Sequence, residues 1–209
     1  RIYEAWDPAL GRRVALKKMR PELGADAVGR DMFMKEARIV AGLRHPNIVE
    51  IFSVVDSGGE LALVFEYLEG RALDEILAGG ALPIPECRNT LRAVCAALEL
   101  AHGRQVLHRD LKPANVMMAT GGAVKVMDFG IARQATATLS RLSPGLVSGT
   151  LAYMAPEQHL GIEKRPADLY ALGVTLYQML TGRLPFTDDR PRERKEKMQF
   201  APLSTLLPG

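Results

Sequence analysis

Cysteine is almost missing from this chain: Cys87 and Cys95 are the only two in 209 residues. Both fall in one stretch of helical periodicity, where their separation corresponds to about 12 Å of rise, beyond the roughly 7 Å that a disulfide can span. A disulfide framework is therefore excluded. With no C-x-x-C pair and no cluster of Cys and His, so are a dithiol redox centre and a structural zinc site. Long apolar runs are lacking as well, which excludes a membrane-spanning helix within this segment, and no secretory leader is expected before the first strand. These absences make the reducing cytosol the expected setting, with no membrane contact in this segment.

Charge of one sign is also scarce. Lys and Arg number 27 against 24 Asp and Glu, a formal charge of +3, so neither a nucleic acid nor an acidic surface is the expected partner. Basic residues gather only between Arg190 and Lys197, and Glu193 and Glu196 interrupt them, which reads as a solvated helix face. There are no internal repeats or low-complexity linkers. An apolar share of 47% leaves enough material for one large domain or two small lobes.

The first half reads as strands around one helix. Residues 1–6 and 13–19 alternate as strands about a turn at Asp7-Pro8-Ala9-Leu10-Gly11. Residues 27–43 carry Phe33, Ala37, Val40 and Ala41 at helical spacing. Residues 49–55 and 61–68 form a hairpin around residues 56–60. The second half is mainly helical. Leu91, Val94, Cys95, Leu98 and Ala101 mark an amphipathic helix over residues 86–102, followed by a short strand at 105–107. A hairpin around Thr120-Gly121-Gly122 follows, and a helix apolar almost all round runs from Asp168 to Thr181. Asp168 suits the N-cap of that helix.

Between these helices lies the stretch with the most chemistry. His108-Arg109-Asp110-Leu111-Lys112-Pro113-Ala114-Asn115 and, after the hairpin, Asp128-Phe129-Gly130 bring acidic and amide oxygens onto two neighbouring loops. Taken singly, Asp110 and Asn115 are ordinary turn residues that bond their own backbone. Taken together, the two segments resemble the catalytic loop and the D-F-G motif of the protein-kinase family. Three further stretches carry the same resemblance: Val14-Ala15-Leu16-Lys17 is similar to its phosphate-binding strand, residues 65–70 to its hinge, and Ala155-Pro156-Glu157 to the A-P-E end of its activation segment. Lys112 and the sequence A-P-E-Q at 155–158 resemble the serine/threonine members found in bacteria.

The resemblance implies an α+β, bilobal fold, with a β-rich lobe over residues 1–67 and a mainly helical lobe over 68–209. Both ends of the family's domain are expected to be incomplete, since no G-x-G-x-x-G precedes Lys17 and further helices would follow Gly209. It implies an ATP-dependent serine/threonine protein kinase using Mg²⁺, with a pseudokinase or other non-catalytic binding module as the alternative. Phosphoryl transfer is largely positioning and charge neutralisation, and the implied roles follow that need. Asp110 takes the hydroxyl proton, Lys112 faces the migrating phosphoryl group, and Asn115 and Asp128 supply hard oxygens to magnesium. Lys17 holds the α and β phosphates and Glu36 orients it, although an ion pair within its own helix is the other reading of Glu36. Ile2, Ala15 and Met117 enclose adenine, which bonds the backbone of Glu66 and Leu68. Asp168 gains a second role, bonding the catalytic-loop backbone from below. Partners are expected to be a protein carrying Ser or Thr and a second copy of the chain for autophosphorylation. Thr136 and Thr138 lead as phosphorylation sites in a segment that reads equally as a polar loop, Arg109 is the cation that reads such a phosphate, and Thr150 contacts Asp110 and Lys112.

Overall fold

The computed structural model describes residues 2–19, 27–57, 60–130, 151–186 and 191–206. Strand β1 (Ile2–Asp7) turns into β2 (Arg12–Lys18) through Asp7, whose Oδ1 accepts from the backbone N–H groups of Ala9 and Leu10, and through Gly11 at φ +61°. This side-chain turn fixes an antiparallel register of Ile2 opposite Lys17. β2 then pairs with β4 (Glu60–Glu66), and β4 with β3 (Ile51–Ser57), giving a sheet of order β1-β2-β4-β3. Residues 61–65 of β4 are all buried, so the run is continuously apolar rather than alternating, as a strand covered on both faces must be. Helix α1 (Ala27–Ala41) buries Phe33, Ala37 and Val40, one turn apart each.

The chain leaving α1 is stitched to the second half of the molecule. Val49 N–H donates to Val126 O, Val126 N–H to Asn47 O, and the Asn47 side-chain amide to Val124 O. Val126 belongs to β7 (Val124–Val126), which with β6 (Val116–Ala119) and β5 (Gly70–Ala72) makes a small antiparallel sheet. Helix α2 (Leu73–Leu77) follows β5 directly. α3 (Ile84–Gly103) turns Cys87, Thr90, Val94, Ala97, Leu98 and Ala101 inward, and packs on β7 and on α4 (Arg165–Thr181). Two short helices, α5 (Pro191–Glu196) and α6 (Leu203–Leu206), complete the chain. One apolar cluster runs from Phe33 and Leu63 through Val126 and Phe129 to Val94 and Met179. Each such fully buried large side chain contributes about 1.5–3 kcal/mol, so sheet and helices share a core.

The α+β architecture agrees with expectation, and so do the two β-hairpins around the turn at residues 7–11 and around Gly121-Gly122. Cys87 and Cys95 are free thiols, one buried and one exposed, on α3. Three local expectations fail. Residues 105–107 are not a strand: Gln105 sits at φ +61°, and Val106 N–H closes a turn onto Ala101 O. α4 begins at Arg165, so Asp168 lies inside its first turn and Lys164 is the N-cap. Its apolar girdle is incomplete, since Leu169 is 55% exposed. No helix among the described residues is long and apolar enough to cross a membrane.

The small sheet has no room for a side chain at one point, between β5 and β6. A Cβ on Gly70 would lie 2.3 Å from the Met118 carbonyl oxygen, which is backbone and cannot swing away. Gly70→Ala is expected to cost about 1–3 kcal/mol, the usual range for overpacking, read as a lowered midpoint in thermal or urea unfolding; an unchanged midpoint would show that β5 and β6 can part freely.

Candidate active site

The loop over residues 108–115 is held from beneath by one carboxylate. Asp168, 2% exposed, accepts from His108 N–H at 2.9 Å and from Arg109 N–H at 2.8 Å, and its Oδ2 lies 2.7 Å from His102 Nε2. Those two backbone N–H groups have no strand or helix to join, so a side chain satisfies them. His108 is wholly buried. Its Nε2 meets the Met127 carbonyl at 2.9 Å while Nδ1 receives Asp110 N–H at 3.3 Å, which fixes the tautomer with the proton on Nε2. Burial pushes its pKa below the ordinary histidine value, consistent with a neutral ring tilted against Phe129, centroids 4.8 Å apart.

Two non-glycine residues here take left-handed backbone, Arg109 at φ +67° and Asp128 at φ +59°. Such conformations are uncommon outside glycine, and their strain persists only where surrounding contacts fix them. The fixing bonds are Asp168 to Arg109 N–H, Gly130 N–H to His108 O and Met127 N–H to Asn115 O. The last of these ties the open ends of the β6–β7 hairpin together. A 3₁₀ turn at Pro113–Asn115 then returns the Asn115 amide to the Asp110 carbonyl at 2.7 Å.

The polar groups that result are close-set. Lys112 Nζ is 2.9 Å from Asp110 Oδ2, Asn115 Nδ2 is 3.5 Å from the same oxygen, and Lys17 Nζ is 2.6 Å from Asp128 Oδ2. Because the Asn115 amide nitrogen is spent on Asp110, its oxygen, the harder donor, is what remains for a cation. Among the described residues no three His, Cys, Asp or Glu cluster as a metal site. One carboxylate and one amide nevertheless suit Mg²⁺, which keeps waters and takes phosphate oxygens instead of an all-protein cage.

Beside these groups, between the two sheets, lies a cavity of about 190 Å³. Ile2, Ala15 and Lys17 line it from above, Glu66 and Leu68 from the connecting edge, and Met117 and Asp128 from below. Glu66 N–H is already bonded to Glu50 O, so a base at this edge could meet the Glu66 backbone only through its carbonyl. The Glu66 side chain turns to Lys125 on β7, at 2.5 Å, and also accepts Glu50 N–H. Val49, Phe65, Tyr67 and Met127 complete the walls. No periodicity singles them out, since each reads as core.

One expected pairing is corrected. Glu36 does not meet Lys17; it lies 3.6 Å from Arg109, which also contacts Glu163 at 2.9 Å, while Lys17 takes Asp128. A carboxylate buried at the inner face of α1 needs a cation, and the guanidinium on the strained loop is the one that reaches it. Even so, desolvation, the largest influence, pushes the Glu36 pKa up to about 7. The run 190–197 is also only partly a solvated face: Lys195 is 1% exposed. Thr136, Thr138 and Thr150 lie outside the described residues.

Comparison with known proteins agrees with this geometry. The protein kinase domain family matches residues 1–206, and the chain belongs to that family, among its bacterial serine/threonine members. It is 42% identical to the probable serine/threonine-protein kinase PknB of Bifidobacterium longum, over 90% of this chain and 29% of that protein. It is 43% identical to the serine/threonine-protein kinase PksC of Streptomyces coelicolor, over 91% and 36%. With the serine/threonine-protein kinase PknA of Mycobacterium tuberculosis the identity is 38%, over 90% and 45%. The chain thus spans less than half the length of these relatives.

Glu36 gives a pH dependence of known sign. Its folded pKa of about 7 stands above the ordinary 4.5, so the folded state holds the extra proton and loses stability as pH rises from about 4.5 to 7. Glu36→Gln carries no charge to desolvate. Relative to the parent protein it is expected to gain on the order of 2 kcal/mol between pH 5 and pH 8, measured by urea unfolding at both; a difference that does not change with pH would refute the assignment.

Proposed function

We propose that this chain is the catalytic part of an ATP-dependent serine/threonine protein kinase, with residues 1–67 and 68–209 as its two lobes. What carries the reading is two charge pairs on the loops that the β6–β7 hairpin joins: Lys17 and Asp128, 2.6 Å apart at the rim of the apolar cavity, and Lys112 and Asp110, 2.9 Å apart with Asn115 beside them. Ile2, Ala15 and Met117 enclose the adenine, and the backbone of Glu66 and Leu68 bonds its edge. Asp110 accepts the proton of the incoming hydroxyl, Lys112 holds charge beside it, and Asn115 keeps the Asp110 carbonyl in place. Asn115 and Asp128 are the residues that would hold Mg²⁺, which supplies neutralisation of the phosphate charge. In the working complex Lys17 turns from Asp128 to phosphate oxygens, and Glu36 must then leave Arg109 if it is to support Lys17.

The substrate class is a protein Ser or Thr hydroxyl. A second copy of the chain is among the substrates, with Thr136 and Thr138 as acceptors and Thr150 beside Asp110. Arg109 would read the resulting phosphate, which must compete with Glu36 and Glu163 for it. The donor nucleotide and two free thiols suit the cytosolic side of a cell. The non-catalytic alternative has no changed residue in its favour, since each polar position named above is present.

The decisive experiment is transfer of labelled γ-phosphate from Mg-ATP by the full-length protein to itself and to a Thr-containing peptide. Asp110→Asn is expected to reduce the rate by roughly two to four orders of magnitude while nucleotide binding, followed by fluorescence titration, is retained. Equal rates in the two proteins would remove Asp110 from the chemistry, and nucleotide binding without any transfer would favour the binding module.

A further inference from the structure

Among the described residues Lys195 is the one lysine or arginine with a fully buried side chain, 1% exposed on the short helix α5. Its ammonium donates to the carbonyl oxygens of Leu151 at 2.6 Å and Met154 at 2.7 Å. Among the described residues no carboxylate pairs with it. Burying an ammonium without a counter-ion costs several kcal/mol, and an apolar side chain of similar length would avoid that cost. The charge is thus held where stability alone does not ask for it.

What it holds lies directly against the proposed base. Tyr153 and Met154, with Gln158, share a small cleft with Asp110 and Leu111. Gln158 Nε2 donates to Arg109 O at 3.3 Å, and its Oε1 accepts Ala155 N–H at 2.9 Å. On the far side, Tyr153 bonds Gln178 of α4 at 2.5 Å. Residues 151–155 therefore form a wall beside the catalytic loop, joined to it through Gln158 at Ala155, to α4 by Tyr153 and to α5 by Lys195.

We propose that Lys195 is a positioning residue for protein substrate: its ammonium, bonded to Leu151 O and Met154 O, fixes the wall against which the Ser- or Thr-bearing segment lies. This rests on the kinase reading and adds to it a residue that touches neither nucleotide nor reacting atoms. Removing the charge loosens substrate binding and leaves nucleotide binding alone. The surroundings make the charge titratable. From α4 the Tyr170 ring faces it at 5.9 Å, with a phenol raised by burial and then by Glu157, and so neutral. On α5 Glu193, Arg194 and Glu196 are exposed, as is Lys197 just after it, with Glu193 and Lys197 paired to each other. Desolvation lowers the Lys195 pKa to about 8, so the ammonium is present below that pH and is lost as pH rises through it.

The test is steady-state phosphotransfer by the full-length protein at pH 7 and pH 9, to a Thr-containing peptide with blocked ends and no His or Cys. The parent protein is expected to show a peptide KM about tenfold higher at pH 9, as loss of a charge-assisted donor implies, with the KM for ATP and kcat at saturating peptide nearly unchanged. Lys195→Arg, which stays charged, keeps the low KM at both pH values. Lys195→Met has the high KM already at pH 7. A peptide KM that ignores both pH and Lys195→Met removes the role. So does a fall of kcat with a rise of both KM values and a loss of thermal stability, which marks a merely structural residue. The pH profile of the parent protein needs no variant to fold. Absence of any transfer by the parent protein overturns instead the kinase reading, and this inference with it.

Discussion

The buried carboxylate of Asp168 is the constraint on which the site depends. It sits in α4, surrounded by apolar neighbours, and its cost of desolvation is met by two backbone N–H groups and an imidazole. In return the loop over residues 108–115 acquires a shape that its own sequence does not favour, with Arg109 in left-handed backbone. The rest follows in order. His108 is driven into the core, its ring reaches Met127, and the bond from Met127 to Asn115 O brings the two metal-binding candidates to neighbouring ends of one hairpin. A helix interior thus determines the geometry of a loop several elements away in sequence.

Electrostatics at the rim is a matter of partners exchanged. Lys17 pairs with Asp128, and Arg109 with both Glu36 and Glu163. The 2.6 Å contact of Lys17 with Asp128 is a strong charge-assisted bond, whereas at Glu36 desolvation outweighs the nearby guanidinium and leaves the carboxyl easily protonated.

The arrangement was legible in the sequence where residue type and spacing are set by chemistry. Lys17, Asp110, Lys112, Asn115 and Asp128 came from motifs, and among them Lys17 meets Asp128 and Lys112 meets Asp110, while Lys18, next along β2, pairs with Glu60. The helices α1, α3 and α4 were visible in their apolar stripes. What could not be read is what depends on tertiary packing. The apolar tripeptide at 105–107 resembles a strand, yet it only links α3 to the loop. Asp168 looked like a cap because Asp favours caps, and Pro166 shifted the start of the helix to Arg165. Lys195 sits amid alternating charges that imply solvent, and only the fold reveals that one of them is enclosed.

The stitch between Asn47 and β7 has a mechanical consequence. Because that junction is anchored by three hydrogen bonds, α1 behaves as a lever whose fulcrum is near its C-terminal end. Glu36 lies five residues before Ala41, roughly 7.5 Å along the axis. A tilt of about 30° would sweep its carboxylate through roughly 4 Å, enough to trade one cation for another while the fulcrum stays still.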